Sequence, residues 1–281
     1  MDLLVLYTRL RVEEKLLHQR ALEMGIRSRL LDVSEWVLGG ELPLEAGSVP
    51  LCRCISHGQN EMLARCLNAA GVRVSNPPEV MALCGNKMLT ALELQRFGIP
   101  QPRWRVALSQ EGAMGAVEEL GYPAVLKPLC GSWGRLLAKV NDREALEAVV
   151  EHKQQLGVNH QTFFIQEYVE KGGFDVRAFI IGGEPVCAVR RESQSWITNT
   201  ARGGRTSNQP VDSAMRDLLK GVHGAIGGDF LAVDLFLVNG EWMVNEVNDG
   251  GEFKNSLEPT GVDIPGLIVR NLLDKQGGIV K

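Results

Sequence analysis

The rhythm of this chain changes partway along, and that change limits the folds open to it. Over residues 2–76 short apolar runs alternate with helical stretches: DLLVLYT, RVEEKLLHQRALEM, SRLLDV, PLCRCIS, QNEMLARCLNAA and VRVSN. In the first helix Val12, Leu16, Leu17 and Met24 fall near one face, and Gly25 ends it. Gly71 closes the second helix, and Pro77–Pro78 stop a fourth strand. Strands separated by helices of this length predict parallel βαβ units. From FFIQEYV onward consecutive strands dominate instead: DVRAFII, EPVCAVRRE, FLAVDLFLV and EWMVNEV. One helix (VDSAMRDLLKGVHGAI) interrupts them and another (IPGLIVRNLLDK) ends the chain. Between the two regimes lie a helix through EVMALCGNKMLTALELQRF, the punctuated GIPQP, a strand (RWRVAL), a helix (EGAMGAVEEL), a strand (PAVLKPL), a Gly-rich loop (CGSWGR) and a strand (LLAKV). The expected fold class is a small α/β domain followed by α+β material with antiparallel sheet.

At 281 residues the chain can bury a sizeable core, in two domains or three small ones. A net charge of −4 argues against nucleic acid as the main partner. No apolar run approaches the length of a membrane span. The first residues, MDLLVLYTRL, lack a basic region and a small-residue cleavage site, so a cytoplasmic location is expected. The six cysteines show no metal-type spacing, which predicts reduced and mostly buried thiols.

The strongest local signal is the pair FLAVDLFLV–NG–EWMVNEVN, where Asp234, Glu246 and Asn248 interrupt apolar strands. Carboxylates in half-buried strands are costly unless paired or metal-bound. Glu246 and Asn248 are two apart and share a face. A two-residue Asn239–Gly240 turn in perfect register pairs Asp234 with Asn245 and sends Glu246 to the other side. Bringing Asp234 and Glu246 together requires a three-residue loop or a bulge. Three oxygen donors on one face suit Mg²⁺, completed by phosphate oxygens and water. Periodicity alone leaves a second reading open, a hairpin whose acids face solvent.

Other residues add weight to the metal reading. Lys127 lies on an otherwise apolar strand, beside a loop of Gly131, Ser132, Trp133, Gly134 and Arg135 that continues into Leu136 and Leu137. A lysine with free backbone N–H groups nearby suits a phosphate clamp. Lys87 sits at a helix start, where positive charge is disfavoured. Gln166, Glu167 and Val169 can present polar and backbone groups to an adenine edge. RRESQSWITNTARGG gathers Arg190, Arg191, Asn199 and Arg202, with Arg205 beyond, and clustered guanidinium groups suit carboxylate or phosphate.

In order and spacing, SNPPEV with CGNK, VLKPLCGSWGRLLAKV, FFIQEYVEKGGFDVRAF, SWITNTARGG, AVDLF, and VNEVN with EFKNS and TGVDIPG resemble the ATP-grasp superfamily. Nearly the whole chain is similar to its RimK-like branch, and most of all to the lysine-biosynthesis ligases of the LysX type. The resemblance implies an N-terminal α/β domain (1–86), a central α+β domain (87–170) and a C-terminal α+β domain (171–281), with ATP gripped between the last two. It implies that Lys87 and Lys127 contact ATP phosphates, that residues 131–137 cover them, and that Gln166, Glu167 and Val169 approach the adenine. Asp175 matches the ribose-binding acid. Asp234, Glu246 and Asn248 match ligands of Mg²⁺, usually two ions. Arg177, Arg191, Asn199 and the Thr200–Ala201 backbone match the lining of the reacting centre.

The chemistry implied is amide ligation. ATP phosphorylates a carboxylate, and the amine of a second substrate displaces the phosphate. In LysX-type enzymes the carboxylate belongs to the C-terminal glutamate of a small acidic amino-group carrier protein, and the amine to α-aminoadipate. The arginine cluster, with Lys254, suits such a partner. A sister branch uses glutamate, and another adds glutamate to a protein C-terminus. EFKNS (Glu252–Ser256) favours α-aminoadipate, while Asp249–Gly250–Gly251 departs from the expected forms. The resemblance further implies a homodimer or homotetramer. A dehydrogenase or P-loop enzyme is excluded because neither GxGxxG nor GxxxxGK[ST] occurs. A non-catalytic nucleotide-binding regulator would not need all three metal-site residues.

Overall fold

A computed structural model describes residues 2–40, 42–45, 47–131, 136–157, 161–198 and 205–277. Leu3 to Leu6 are wholly buried because β1 (Asp2–Tyr7) is the middle strand of a parallel sheet. Strands β2 (Arg27–Asp32) and β3 (Ser48–Cys52) flank it. Helices α1 (Val12–Glu23) and α2 (His57–Ala69) follow β1 and β3. The expected fourth strand, VRVSN, is not formed. Only Ser75 bridges to Leu51, because the prolines that follow turn the chain into a helix at once. The face of α1 also differs from its apolar pattern. Val12 is half exposed, and the buried positions are Glu13, Glu14, Leu17 and Ala21.

The long helix expected through residues 79–97 is two helices, α3 (Pro78–Gly85) and α4 (Lys87–Arg96). Asn86 breaks it by taking an extended conformation and capping α4, its Oδ1 accepting from the N–H groups of Met88 and Leu89. A four-stranded antiparallel sheet follows, in order β4-β7-β5-β6: β4 (Trp104–Ala107), β5 (Ala124–Lys127), β6 (Ala138–Val140) and β7 (Phe163–Glu167). Helices α5 (Gln110–Leu120) and α6 (Arg143–Gln155) cover one side and bury Val117, Leu126, Leu146 and Ile165 together.

The third sheet is antiparallel with order β10-β9-β8-β11-β12, built from β8 (Phe174–Ile181), β9 (Glu184–Glu192), β10 (Arg205–Gln209), β11 (Phe230–Val238) and β12 (Glu241–Asn248). Strand β10 carries no apolar signal in the sequence, RTSNQ being polar throughout. One face packs Val176, Ala178, Val233 and Leu235 against α7 (Ser213–Ile226) and against Val80 and Leu94 of α3 and α4. The opposite face packs Phe179, Phe230 and Ala232 against Phe253, α9 (Ile264–Gly277), Leu17 of α1, and Leu3 and Val5 of β1. The first and third sheets therefore share one core. Short α8 (Lys254–Thr260) joins β12's exit to α9.

All six cysteines are free; Cys52, Cys54 and Cys187 are buried and Cys130 is exposed. Among the described residues no helix is long and apolar enough to cross a membrane.

Candidate active site

The hairpin between β11 and β12 solves the register problem with a bulge. Asn239 and Gly240, both at positive φ, form a two-residue turn, and Val238 pairs with Glu241 as that turn demands. Pairing then slips between Asp234 and Leu235, leaving Asn245 as the extra residue. The slip sets Asp234 opposite Glu246 and Ala232 opposite Asn248. The displaced Asn245 is used: its Oδ1 accepts from Lys127 Nζ at 2.9 Å.

Around Asp234 runs a chain of buried charges. Arg177, its register partner on β8, donates to both carboxylate oxygens at 2.7 and 2.8 Å. Arg191 on β9 approaches the same carboxylate at 3.1 Å and donates through Nε to Asp175 at 2.6 Å. Asp175 also takes a hydrogen bond from Thr198, to which Lys171 donates at 2.7 Å. Burial alone would raise the Asp234 pKa, but Arg177 and Arg191 hold the carboxyl well below the usual carboxylate range. Burial pulls Lys127 down to about 8 against the opposing pull of Glu246.

Lys87, in the first turn of α4, reaches away from its helix. Its Nζ lies 3.2 Å from Glu246 and donates to the Gly131 carbonyl at 2.8 Å. A bridge between Asn86 and Cys130 and the bond from Lys87 N to Leu129 O hold this edge against the 128–131 segment. That tether explains a lysine at a position the helix dipole disfavours.

Two cavities meet here. The smaller, about 100 Å³, lies between the second and third sheets and is lined by Lys127, Leu137, Gln166, Val169, Lys171 and Trp196 among others. The larger, about 440 Å³, lies between the third sheet and the N-terminal unit and is lined by Arg11, Arg53, His57, Gly131, Asn248 and Lys254 among others. Asp234 and Glu246 line both. Two carboxylates, with an amide two residues on, thus stand where the cavities join.

The structure brings most of the sequence-picked residues to this junction. Lys87, Lys127, Gln166, Val169, Asp175, Arg177, Arg191, Asp234, Glu246 and Asn248 all stand on or between the two cavities. Glu167 lines the smaller one, but its carboxylate is held by Arg103, from N–H at 2.8 Å and Nε at 2.6 Å. Leu136 is exposed, at positive φ. Ser132, Trp133, Gly134, Arg135, Asn199, Thr200 and Ala201 lie outside the described residues. Arg190 alternates away from Arg191, stacks on Phe174 and pairs with Glu192. Arg205 sits on exposed β10.

Sequence reasoning missed Lys171, Asn245, Arg53 and His57. No periodicity marks Lys171. Asn245 gave a signal as a polar residue within an apolar strand, but its use depends on the bulge.

His57 is confined by α3. A Cβ at Gly85 would lie 1.9 Å from its Nε2, and its Nδ1 faces Asp249 at 3.6 Å. The nearby carboxylate raises the imidazole pKa. Gly85→Ala is expected to cost about 1–3 kcal/mol by overpacking, outweighing the roughly 1 kcal/mol that alanine's helix preference offers. Urea unfolding measures the loss; unchanged stability would show that the imidazole moves aside freely.

Residues 84–272 match the model of the RimK-like ATP-grasp domain, and residues 3–83 that of the LysX preATP-grasp domain. The chain belongs to the RimK-like ATP-grasp family. Among its relatives is the protein named glutamate–LysW ligase ArgX of Sulfurisphaera tokodaii, 32% identical over 92% of this chain and 93% of that one. The α-aminoadipate–LysW ligase LysX of Sulfolobus acidocaldarius is 33% identical over 82% of this chain and 84% of its own. The crystal structure of a RimK-domain ATP-grasp protein from Sphaerobacter thermophilus superposes with a TM-score of 0.78 at 25% identity, covering 97% of this chain and 100% of that one. The fold is the ATP-grasp fold, and the protein is an ATP-dependent, amide-forming ligase that uses ATP and Mg²⁺.

The residues present fit the metal. Among the described residues no three His, Cys, Asp or Glu side chains form a closed cage. An open set of two carboxylates and one carboxamide is what Mg²⁺ takes when phosphate oxygens and water complete its octahedron.

Proposed function

We propose that this ligase joins the amino group of α-aminoadipate to the C-terminal glutamate side-chain carboxylate of a small acidic amino-group carrier protein. The observation that carries the reading is the meeting of the two cavities at Asp234 and Glu246: one for nucleotide, the other open to a carboxylate and an amine. In this reading Asp234, Glu246 and Asn248 hold Mg²⁺, two ions in all. When bound, the ions neutralise charge on the phosphates during transfer.

Lys127 and Lys87 bind phosphate oxygens, whose negative charge favours the protonated form of Lys127. Residues 131–137 cover the phosphates and exclude water that would hydrolyse the activated acid. Gln166, Glu167 and Val169 approach the adenine. Asp175 is the ribose acid; both its oxygens already accept protein donors, and each keeps a lone pair for a hydroxyl. The carrier's carboxylate oxygen attacks the γ-phosphorus and ADP leaves. The amine then attacks the acyl carbon, inorganic phosphate departs, and the nitrogen loses its extra proton to solvent. Arg177 and Arg191, with Asn199 and the Thr200–Ala201 backbone, steady the oxyanion between these steps.

Glutamate is the second reading, favoured by the comparable likeness to the ArgX and LysX proteins. A pocket discriminates one methylene weakly. Enzyme, ATP, Mg²⁺ and carrier protein are incubated with each amino acid, and the carrier is weighed by intact mass spectrometry. The expected result is a gain of one aminoadipyl residue. A glutamyl gain shifts the substrate, and no gain with either overturns the proposal in favour of another acceptor or a non-catalytic nucleotide-binding regulator.

A further inference from the structure

The larger cavity contains a cation that the transfer step leaves idle. Arg53, just past β3, is 4% exposed and lines the cavity wall. Its Nε donates to Glu14 at 3.2 Å and its NH1 to the Gly250 carbonyl at 2.8 Å, while its NH2 has no hydrogen-bond partner. Glu14 is not reserved for Arg53. Arg11 donates to the same carboxylate from its Nε at 3.1 Å, its NH2 at 2.7 Å and its backbone N–H at 2.8 Å. Glu13, fully buried on the same helix, accepts no hydrogen bond at either oxygen.

A buried guanidinium nitrogen without an acceptor is destabilising, and such a group in a cavity wall is what an arriving acceptor satisfies. The fork geometry of arginine matches a carboxylate. Its place is set by Gly250, two residues beyond Asn248 and so within roughly 7 Å of it along the chain. Asp234, Glu246 and Arg53 line this one cavity, so an amino acid with its amine at the acyl carbon and its side chain laid along the cavity wall would bring a second carboxylate to Arg53. Arg11 and Lys254 line the same cavity. The acids on this wall have neighbours of their own: Glu252 faces Arg11 at 3.9 Å and Asp249 faces His57 at 3.6 Å.

We propose that Arg53 reads the side-chain carboxylate of the incoming amino acid and so selects a dicarboxylic one. This rests on the ligation of an amino acid proposed above. Calorimetric titration of the full chain, holding ADP and Mg²⁺, with glutamate, α-aminoadipate and norvaline tests it without the carrier protein. The wild type is expected to bind both diacids more tightly than norvaline. Arg53→Gln is expected to weaken diacid binding roughly ten- to a hundredfold and leave norvaline and ADP unchanged. Arg53→Lys, which keeps the charge and spares Glu14, is expected to fall between. Equal wild-type affinity for norvaline and the diacids, or a diacid preference surviving in a variant that still binds ADP, overturns the assignment. A normal diacid preference with no mass gain on the carrier would instead sink the carrier reading and leave Arg53 standing.

Discussion

Asp234→Asn is expected to lower kcat by roughly 10²–10³-fold or more. The substitution keeps the shape of the side chain and removes its charge. Two consequences follow at once. The proposed Mg²⁺ site keeps a single carboxylate, Glu246, itself 3.2 Å from Lys87. Arg177 and Arg191, both bound to Asp234, face a neutral amide that can accept at only one atom. Removing one partner of a buried ion pair costs up to about 3–5 kcal/mol, so urea unfolding must accompany the kinetics. The metal reading requires that kcat falls while the protein stays folded and that the Mg²⁺ concentration for half activity rises. A folded variant with normal turnover and normal Mg²⁺ dependence would show that Asp234 only orders the arginines.

Asn76→Ala is expected to cause a comparably large loss in stability. The side chain is 2% exposed and meets four backbone groups. Its Nδ2 donates to the carbonyls of Phe230 at 2.7 Å and Asp249 at 2.6 Å. Its Oδ1 accepts from the N–H groups of Asp229 and of Phe230, the latter at 3.0 Å. One residue after β3's helical crossover thus pins the start of β11 and the end of β12. Alanine removes the side-chain partner of all four groups, three of them buried and the Asp249 carbonyl partly so. At about 1–3 kcal/mol for each unsatisfied group, and allowing for relaxation, the expected loss is roughly 3–6 kcal/mol. Asn76→Asp should rescue little, because it turns an acceptor toward two carbonyls. A urea midpoint within error of the wild type would show that water replaces the amide without cost.

Much of the site is legible in the sequence. Polar residues inside apolar strands are expensive, and that cost pointed to Asp234, Glu246, Asn248 and Lys127. Local signals of this kind live within a few residues of chain. The same holds for β1, α2, β8 and β11, whose patterns match the structure closely. Where the pattern misled, a tertiary contact had overridden it. Glu14 is buried on α1 because Arg11 and Arg53 pair with its carboxylate, and Asn86 divides α3 from α4 with a bridge to Cys130, just past β5.

The sequence by itself determined the family, the order of the elements and the set of charged residues that do not belong on a surface. It also determined that Asp234 and Glu246 could meet only through a three-residue loop or a bulge, because side chains on a strand alternate with a period of two. Which device was used could not be read from the hairpin alone. The Asn239–Gly240 turn takes its favoured two-residue form, so a bulge must absorb the odd residue; Asn245 is that residue, with Lys127 from the neighbouring sheet to receive it. The tertiary structure also joined β3, α3 and the 249–251 turn around one cavity, placing Arg53 two residues' reach from Asn248. Contacts across more than a hundred residues leave no periodic trace, so only the folded chain discloses them.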